Sequence, residues 1–257
     1  MPAVAALLER RPALLALRRA FPAMPIRVLT ARSPKHLEAI LSRNLIDAVV
    51  VGPDSARSVA LESLRRDYAA LPILLFAPIR SDDADLLLRA HRNRVAAVVL
   101  EDLDELLLPR LIGIHGVTAR RRAELLPLAA RLGLVEPIQR DAWVAVVADA
   151  PDGLDTGSLA KRLGVARETL SRQFAAGGAP PLKRAIDGVR LVAAGQLLGN
   201  AAYRVADVAQ LLGFSSPSLL QRTARRTFGV SAREIAEVGP DRLAAALLGD
   251  TGDQTWS

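Results

Sequence analysis

Between about residues 25 and 112 the chain alternates short, nearly unbroken apolar runs with segments whose apolar residues recur at helical spacing. The runs are Ile26–Thr30, Asp47–Val51, Pro72–Phe76 and Val95–Leu100. Such runs fit strands buried on both faces of a parallel sheet. Between them Pro34–Arg43, Ser55–Ala69 and Asp82–Arg94 predict helices, with Ser33 and Ser81 placed as N-caps. Alternating β and α elements predict a three-layer α/β domain with right-handed crossovers.

From Val117 onward no comparable strand pattern occurs. Thr118–Leu132 is charged, then apolar, at helical spacing; it contains Arg120, Arg121 and Arg122 and is interrupted by Pro127. Residues 137–240 read as short helices punctuated by Gly and Pro, an all-α domain. The expected organisation is an α/β domain over 1–117, a basic helical linker over 118–140, a helical domain over 141–240 and a tail over 241–257. The polar stretch Gly249–Ser257 is expected to fray.

Composition narrows the chemistry. Two domains fit 257 residues, and 51% hydrophobic with 24% charged residues supports packed cores. Cysteine is absent, which excludes disulfides, thiolate metal sites and cysteine nucleophiles. The three histidines, His36, His91 and His115, lack metal-ligand spacing, so neither a metal nor another cofactor is expected. Net charge is +7, and only Lys35, Lys161 and Lys183 are lysines, so arginine carries the charge. Arginine suits phosphate and guanine, although an Arg-, Ala- and Leu-rich chain is also what a GC-rich genome produces. The charge is densest in the helical half: residues 151–240 hold 12 basic and 7 acidic side chains. No run of 18 uncharged apolar residues and no signal-peptide core occurs, so a cytoplasmic location without membrane contact is expected.

The helical half contains one pattern twice. In Val205–Arg222, Val205, Val208, Ala209 and Leu212 form an apolar stripe, and Gly213 supplies a turn. Ser215 or Ser216 then caps a second helix opened by Pro217, with Leu219, Leu220 and Thr223 inward. This is the layout of a helix-turn-helix, whose second helix enters the major groove. Upstream, Ser158–Phe174 repeats it with Ala160 as the small residue, Gly164 as the turn, and Leu170 and Phe174 inward.

Two such units joined by one long helix resemble the AraC/XylS family of bacterial transcription regulators. The resemblance spans Leu154–Ile235. It is carried by Ser158-Leu159-Ala160, Leu170–Phe174, Arg190 with Ala194, Leu197 and Leu198, Val205–Ala209, Gly213–Ser218 and Phe228–Ser231. The chain departs from the family pattern at Leu220 and Ala224, usually aromatic, and at Ala232, usually proline; these are core or capping positions. The Gly177–Pro181 join is also slightly longer than usual. The resemblance implies two recognition helices in successive major-groove segments of double-stranded DNA, about one helical turn apart. Base readout is assigned to Arg167, Glu168, Ser171 and Arg172, and to Ser216, Ser218, Gln221 and Arg222; phosphate contacts are assigned to Lys183, Arg184, Arg225 and Arg226. Arg172 and Arg222, at matching places, rank first. RNA polymerase is a candidate partner.

The front domain resembles the receiver domain of response regulators, a flavodoxin-like fold. A working receiver needs an acidic pair after the first strand, an Asp at the end of the third, a hydroxyl after the fourth and a Lys after the fifth. If Asp47–Val51 is the third strand, those last three positions fall on Gly52, Ala77 and near Glu101; the first strand then precedes Met1 and leaves Ala3–Ala20 as an orphan helix. If Ile26–Thr30 is the first strand, Thr30-Ala31 replaces the acidic pair and the acceptor falls near Ala77. Both registers lack the chemistry, and Asp54 is the nearest acid in the first. A non-phosphorylated pseudo-receiver is therefore expected, serving dimerisation or the sensing of a partner or ligand. Asp82-Asp83 and Glu101–Glu105 read as acids at helix N-termini rather than metal clusters. Leu103–Ile114 and Arg120–Leu132 are candidate homodimer surfaces.

The expected function is sequence-specific transcription regulation. The alternatives are a phosphorylation-controlled response regulator and an interaction module with decayed DNA binding. An enzyme is not expected: an AraC-like DNA-repair alkyltransferase needs a thiol, and neither a phosphate loop nor a nucleophile elbow occurs.

Overall fold

The computed structural model describes residues 3–21 and 26–248, so the expected fraying of Gly249–Ser257 lies outside the described residues. The chain divides into two compact units: residues 1–120 with 200–203, and residues 121–199 with 204–257.

In the first unit the strands are β1 (Ala3–Leu7), β2 (Arg27–Ala31), β3 (Ala48–Val51), β4 (Ile73–Ala77) and β5 (Ala97–Leu100). They form one parallel sheet in the order β2-β1-β3-β4-β5, the doubly wound order of flavodoxin-like domains. The helices are α1 (Arg11–Arg19), α2 (Pro34–Leu41), α3 (Pro53–Arg57), α4 (Val59–Asp67), α5 (Ala84–Arg92) and α6 (Leu108–His115). Alternation along the strands sends Val4, Ala6, Val50, Leu74, Phe76 and Val99 to one face, where Leu17 of α1 and Leu108 and Ile112 of α6 cover them. The opposite set, including Leu7, Val51 and Leu75, faces the layer containing α2 and α4.

This arrangement corrects both sequence registers. Asp47–Val51 does contain the third strand, but the first lies within the chain, at Ala3–Leu7, and Ala3–Ala20 is not one helix. Alanine favours helices; here Ala-Val-Ala-Ala-Leu is buried at all five positions between β2 and β3, where small side chains suit a central strand. Residues 200–203 complete the unit: Asn200 Oδ1 accepts from the Ala70 N–H (2.8 Å), and the Tyr203 hydroxyl donates to Leu41 O (3.0 Å).

After α7 (Val117–Leu125), the second unit contains α8 (Leu128–Arg131), α9 (Pro137–Asp149), α10 (Thr156–Arg162), α11 (Arg167–Phe174), α12 (Leu182–Leu198), α13 (Val205–Leu211), α14 (Pro217–Phe228) and α15 (Pro240–Leu248). The stretch expected as a basic linker contributes Leu125, Leu128, Leu132 and Leu134 to the core. Arg121 is buried there; its guanidinium donates to Val147 O (3.1 Å) and Ala148 O (3.3 Å), carbonyls at the end of α9. Residues 241–248, expected as tail, lie in α15 and bury Leu243, Ala244, Ala246 and Leu247.

The axis of this unit is α12, whose 17 residues span about 25 Å. Two glycines let neighbouring segments close on it. A Cβ at Gly195 would stand 2.5 Å from Ile235 O, and one at Gly188 would stand 2.8 Å from a Leu243 methyl. The methyl can yield, whereas the carbonyl is backbone. Gly195→Ala is therefore expected to destabilise the second unit by about 1–3 kcal/mol, read as a lower urea midpoint for its unfolding, with Gly113→Ala, which meets nothing within 4 Å, as the exposed control.

Candidate nucleic-acid interface

Both helix pairs, α10–α11 and α13–α14, close their turns with the same hydrogen bonds. Gly164 follows α10 with φ +70°; its N–H donates to Lys161 O (3.3 Å), and the Val165 N–H donates to Ala160 O (3.1 Å). Gly213 follows α13 with φ +70°; its N–H donates to Gln210 O (3.2 Å), and the Phe214 N–H donates to Ala209 O (2.8 Å). This helix stop satisfies two orphan carbonyls through one left-handed residue, a conformation glycine adopts without a Cβ penalty. Ala160 and Ala209 are buried beside these turns.

Counted from their N-caps, Ala166 and Ser216, helices α11 and α14 share one pattern. The fourth and eighth residues are buried: Leu170 and Phe174 in α11, Leu220 and Ala224 in α14. The first, second, fifth and sixth are Arg167, Glu168, Ser171 and Arg172 in one, and Pro217, Ser218, Gln221 and Arg222 in the other. Ser171 and Gln221 are half-buried; the others are exposed. Arg172 and Arg222 thus occupy the same sixth position, and neither makes an ion pair among the described residues. The departures from the family pattern, Leu220, Ala224 and Ala232, are all buried.

Two assigned readers also have work inside the fold. Ser216 is the cap of α14, its Oγ accepting from the Leu219 N–H (3.1 Å), and Gln221 Oε1 accepts from the Ala232 N–H (3.0 Å). Gln221 keeps its amide NH2, but a bidentate grip on adenine needs both ends of the amide.

The assigned phosphate contacts gather at the start of α12 and the end of α14. Lys183 Nζ lies 3.1 Å and Arg226 Nη2 3.4 Å from the same Asp187 oxygen, and Arg184, Pro181 and Thr227 complete a shallow groove. The N-terminal end of α12 adds its positive dipole there. Arg225 is exposed on α14. Two flanking carboxylates are held below their ordinary range. The Ser158 N–H and hydroxyl act on Asp155, the cap of α10; the Ser231 N–H and hydroxyl act on Glu234.

Three positioning groups were not singled out by sequence. Arg190, quoted above only as part of the family pattern, donates from Nε to Ala150 O (3.1 Å) and from Nη2 to Leu154 O (3.0 Å), just before α10. Its guanidinium carbon also lies 5.7 Å from the centroid of Phe214, just after the second turn. Gln139 is buried, and its amide NH2 donates to Gln173 O, Phe174 O and Ala176 O at the end of α11. The Glu136-x-x-Gln139 spacing was the available signal, a capping box at the start of α9. Trp143 Nε1 donates to Leu125 O (3.1 Å).

In the first unit, the strand ends carry different chemistry from a working receiver. Glu9, just after β1, accepts at Oε1 from the Ser55 N–H (2.8 Å) and from the Ser55 hydroxyl. A Cβ at Gly52, after β3, would fall 2.0 Å from Glu9 Oε2, so this carboxylate lies over the acceptor position. Ala77 ends β4, and Glu101 follows β5 where a lysine is needed. Glu101 is buried, and Arg10 Nη1 lies 3.2 Å from its Oε2. Burial raises the Glu101 carboxyl above its ordinary range, while Arg10 opposes that shift. Asp54 is exposed in the first turn of α3. Of the other acids, Asp83 accepts from the Arg80 N–H and pairs with Arg57, Asp104 accepts from the Leu100 N–H, and Glu105 accepts from the Asp102 N–H. Among the described residues no three such groups are placed to hold a metal.

The second unit matches a family model described as a helix-turn-helix domain over residues 159–237. No curated protein matches the chain. Among solved structures, full-length FixJ from B. japonicum matches with 14% identity and a TM-score of 0.40, covering 87% of this chain and 95% of that one. The signal receiver domain of an HD domain-containing protein from Pseudomonas fluorescens Pf-5 matches with 14% identity and a TM-score of 0.39, covering 44% and 93%. RcsB from Salmonella enterica serovar Typhimurium, bound to promoter rprA, matches with 15% identity and a TM-score of 0.37, covering 67% and 88%. Residues 159–237 thus match a helix-turn-helix domain, and the unit before them in the chain is built on a five-stranded parallel sheet.

Proposed function

We propose that this chain is a sequence-specific transcription regulator that grips double-stranded DNA with both helix-turn-helix units, while its front unit pairs chains or senses a ligand without being phosphorylated. The matched recognition helices carry the reading. Two identical turns, two buried residues four apart and one exposed arginine at the same sixth position are what two copies of one reading head require. In this reading Arg167, Glu168, Ser171 and Arg172 face one major-groove segment, and Ser218, Gln221 and Arg222 face the next. Ser216 holds the start of its helix. Lys183, Arg184, Arg225 and Arg226 meet phosphates, where each arginine or lysine adds salt dependence without sequence preference.

The reading of the front unit as non-phosphorylated is supported by the groups at its strand ends. A phosphoryl group needs an acceptor carboxylate, a divalent cation and a cation to read the new charge. Here glycine stands at the acceptor position under the Glu9 carboxylate, and buried Glu101 stands at the lysine position. Pairing is supported by exposed apolar side chains on β5, an edge strand of the sheet, and on the segment that follows it: Leu103 and Leu106 are 77% and 80% exposed, with Val98 and Leu107 also exposed. Exposed leucines grouped at an open sheet edge are characteristic of association surfaces.

Three outcomes test this reading. In fluorescence anisotropy with genomic fragments, the chain should bind selected sequences with strong salt dependence. Arg172→Ala or Arg222→Ala should each cost about 1–3 kcal/mol, roughly 5- to 150-fold, and relax specificity. Arg225→Ala should instead weaken all sequences alike and lower the salt slope by about 1; equal effects of all three substitutions would contradict the division of roles. Acetyl phosphate or beryllofluoride should leave sedimentation and DNA affinity unchanged, whereas a shift abolished by Asp54→Ala would favour a phosphorylated regulator. Analytical ultracentrifugation should show a dimer that Leu103→Glu with Leu106→Glu converts to monomer; a monomeric wild type removes the pairing role.

A further inference from the structure

The first unit contains a cleft of about 330 Å3 between α2 and α4, with an apolar floor. Leu7 and Val51, the last residues of β1 and β3, form part of that floor, and Leu37, Leu61, Leu64 and Tyr68 form walls. The sheet order reverses between β1 and β3. The cleft opens beside the carboxyl ends of these two strands, on the face that α2 and α4 cover. The volume lies at the small end of the range for small-molecule sites, and the mix of apolar walls with a few polar groups is typical of them.

The polar groups specify the ligand's charge. The lining includes the hydroxyl-bearing residues Ser55, Ser58 and Ser63 and the carboxylates Glu38 and Asp67, but no basic residue. Asp67 is paired with Arg66 at 3.1 Å. Glu38 is exposed at the rim and makes no ion pair among the described residues. A phosphate or carboxylate ligand would meet only like charge there. An apolar body with a cationic head would bury its rings against Leu37, Leu61 and Leu64 and direct the head to Glu38. Ser55 also holds Glu9 over Gly52, so an occupant of this cleft touches the residue that fixes the carboxylate at the strand ends.

We infer that this cleft is a binding site for a small arylalkylamine-like ligand, an apolar ring system carrying one ammonium group. The inference deepens the ligand-sensing reading of the front unit and rests on it. Calorimetric titration of the full chain with tryptamine and 2-phenylethylamine, against indole-3-propionate as the anionic counterpart, tests the site directly. The amines should bind with Kd below 1 mM and the carboxylate at least tenfold more weakly. Glu38→Gln should reduce amine affinity about fivefold and narrow that preference, the scale of one exposed charge pair. Ser63→Phe should abolish binding by filling the cleft while leaving DNA affinity and the far-ultraviolet spectrum unchanged. Absence of amine binding, or binding untouched by both substitutions, overturns the site. DNA affinity measured with and without amine separates the two claims: binding without an effect on DNA keeps the site but removes the sensing role.

Discussion

Arg190 is the interaction on which the second unit's geometry depends. It projects from the middle of α12 and holds the carbonyls of Ala150 and Leu154, which lead into the first helix-turn-helix. The face of the same guanidinium is presented to Phe214, which follows the turn of the second. One planar, permanently charged group therefore fixes the approach to both heads, using its edge for one and its face for the other. The glycines of α12 serve the same end, since Gly195 lets the Ile235 backbone close on the helix. Two recognition helices can address one DNA face only if their separation and angle are fixed beforehand, and these contacts all start from one helix, α12.

The front unit illustrates a sheet kept without the chemistry its strand ends could carry. The order β2-β1-β3-β4-β5 brings Glu9, Gly52, Ala77 and Glu101 to the same edge of the sheet. Their charges are arranged differently from a phosphoryl site: Glu9 is bonded to Ser55 across Gly52, and Arg10 is paired with Glu101. Burial makes the charged form of Glu101 costly, so its carboxyl is raised. Since the folded state then binds this proton more tightly than the unfolded chain, its contribution to stability grows as pH falls through the folded value toward the ordinary one.

Much of this was legible in the pattern of apolar residues. The strands from Ile26 onward, the alternation of layers and both helix-turn-helix repeats follow from periodicity, and the two turn glycines are found where φ is positive. The strand Ala3–Leu7 was not legible, because a five-residue alanine-rich run has no local β preference and becomes a strand only between two neighbours. Arg121 read as part of a basic helical linker, since sequence shows its charge but not the end of α9 that it caps. The outward arginines of α11 and α14 were identifiable from spacing, whereas the bond from the Ala232 N–H to Gln221 required the fold. Long-range hydrogen bonds leave little trace in a local pattern, and they decide which polar side chains remain available.

The most direct measurement is a hydroxyl-radical footprint of the full chain on a selected site, repeated with Arg172→Ala and with Arg222→Ala. Two protected segments about 10 base pairs apart on one face of the duplex are expected, with each substitution weakening a different segment. A single protected segment, or the same segment weakened by both substitutions, would contradict the assignment of two independent reading heads.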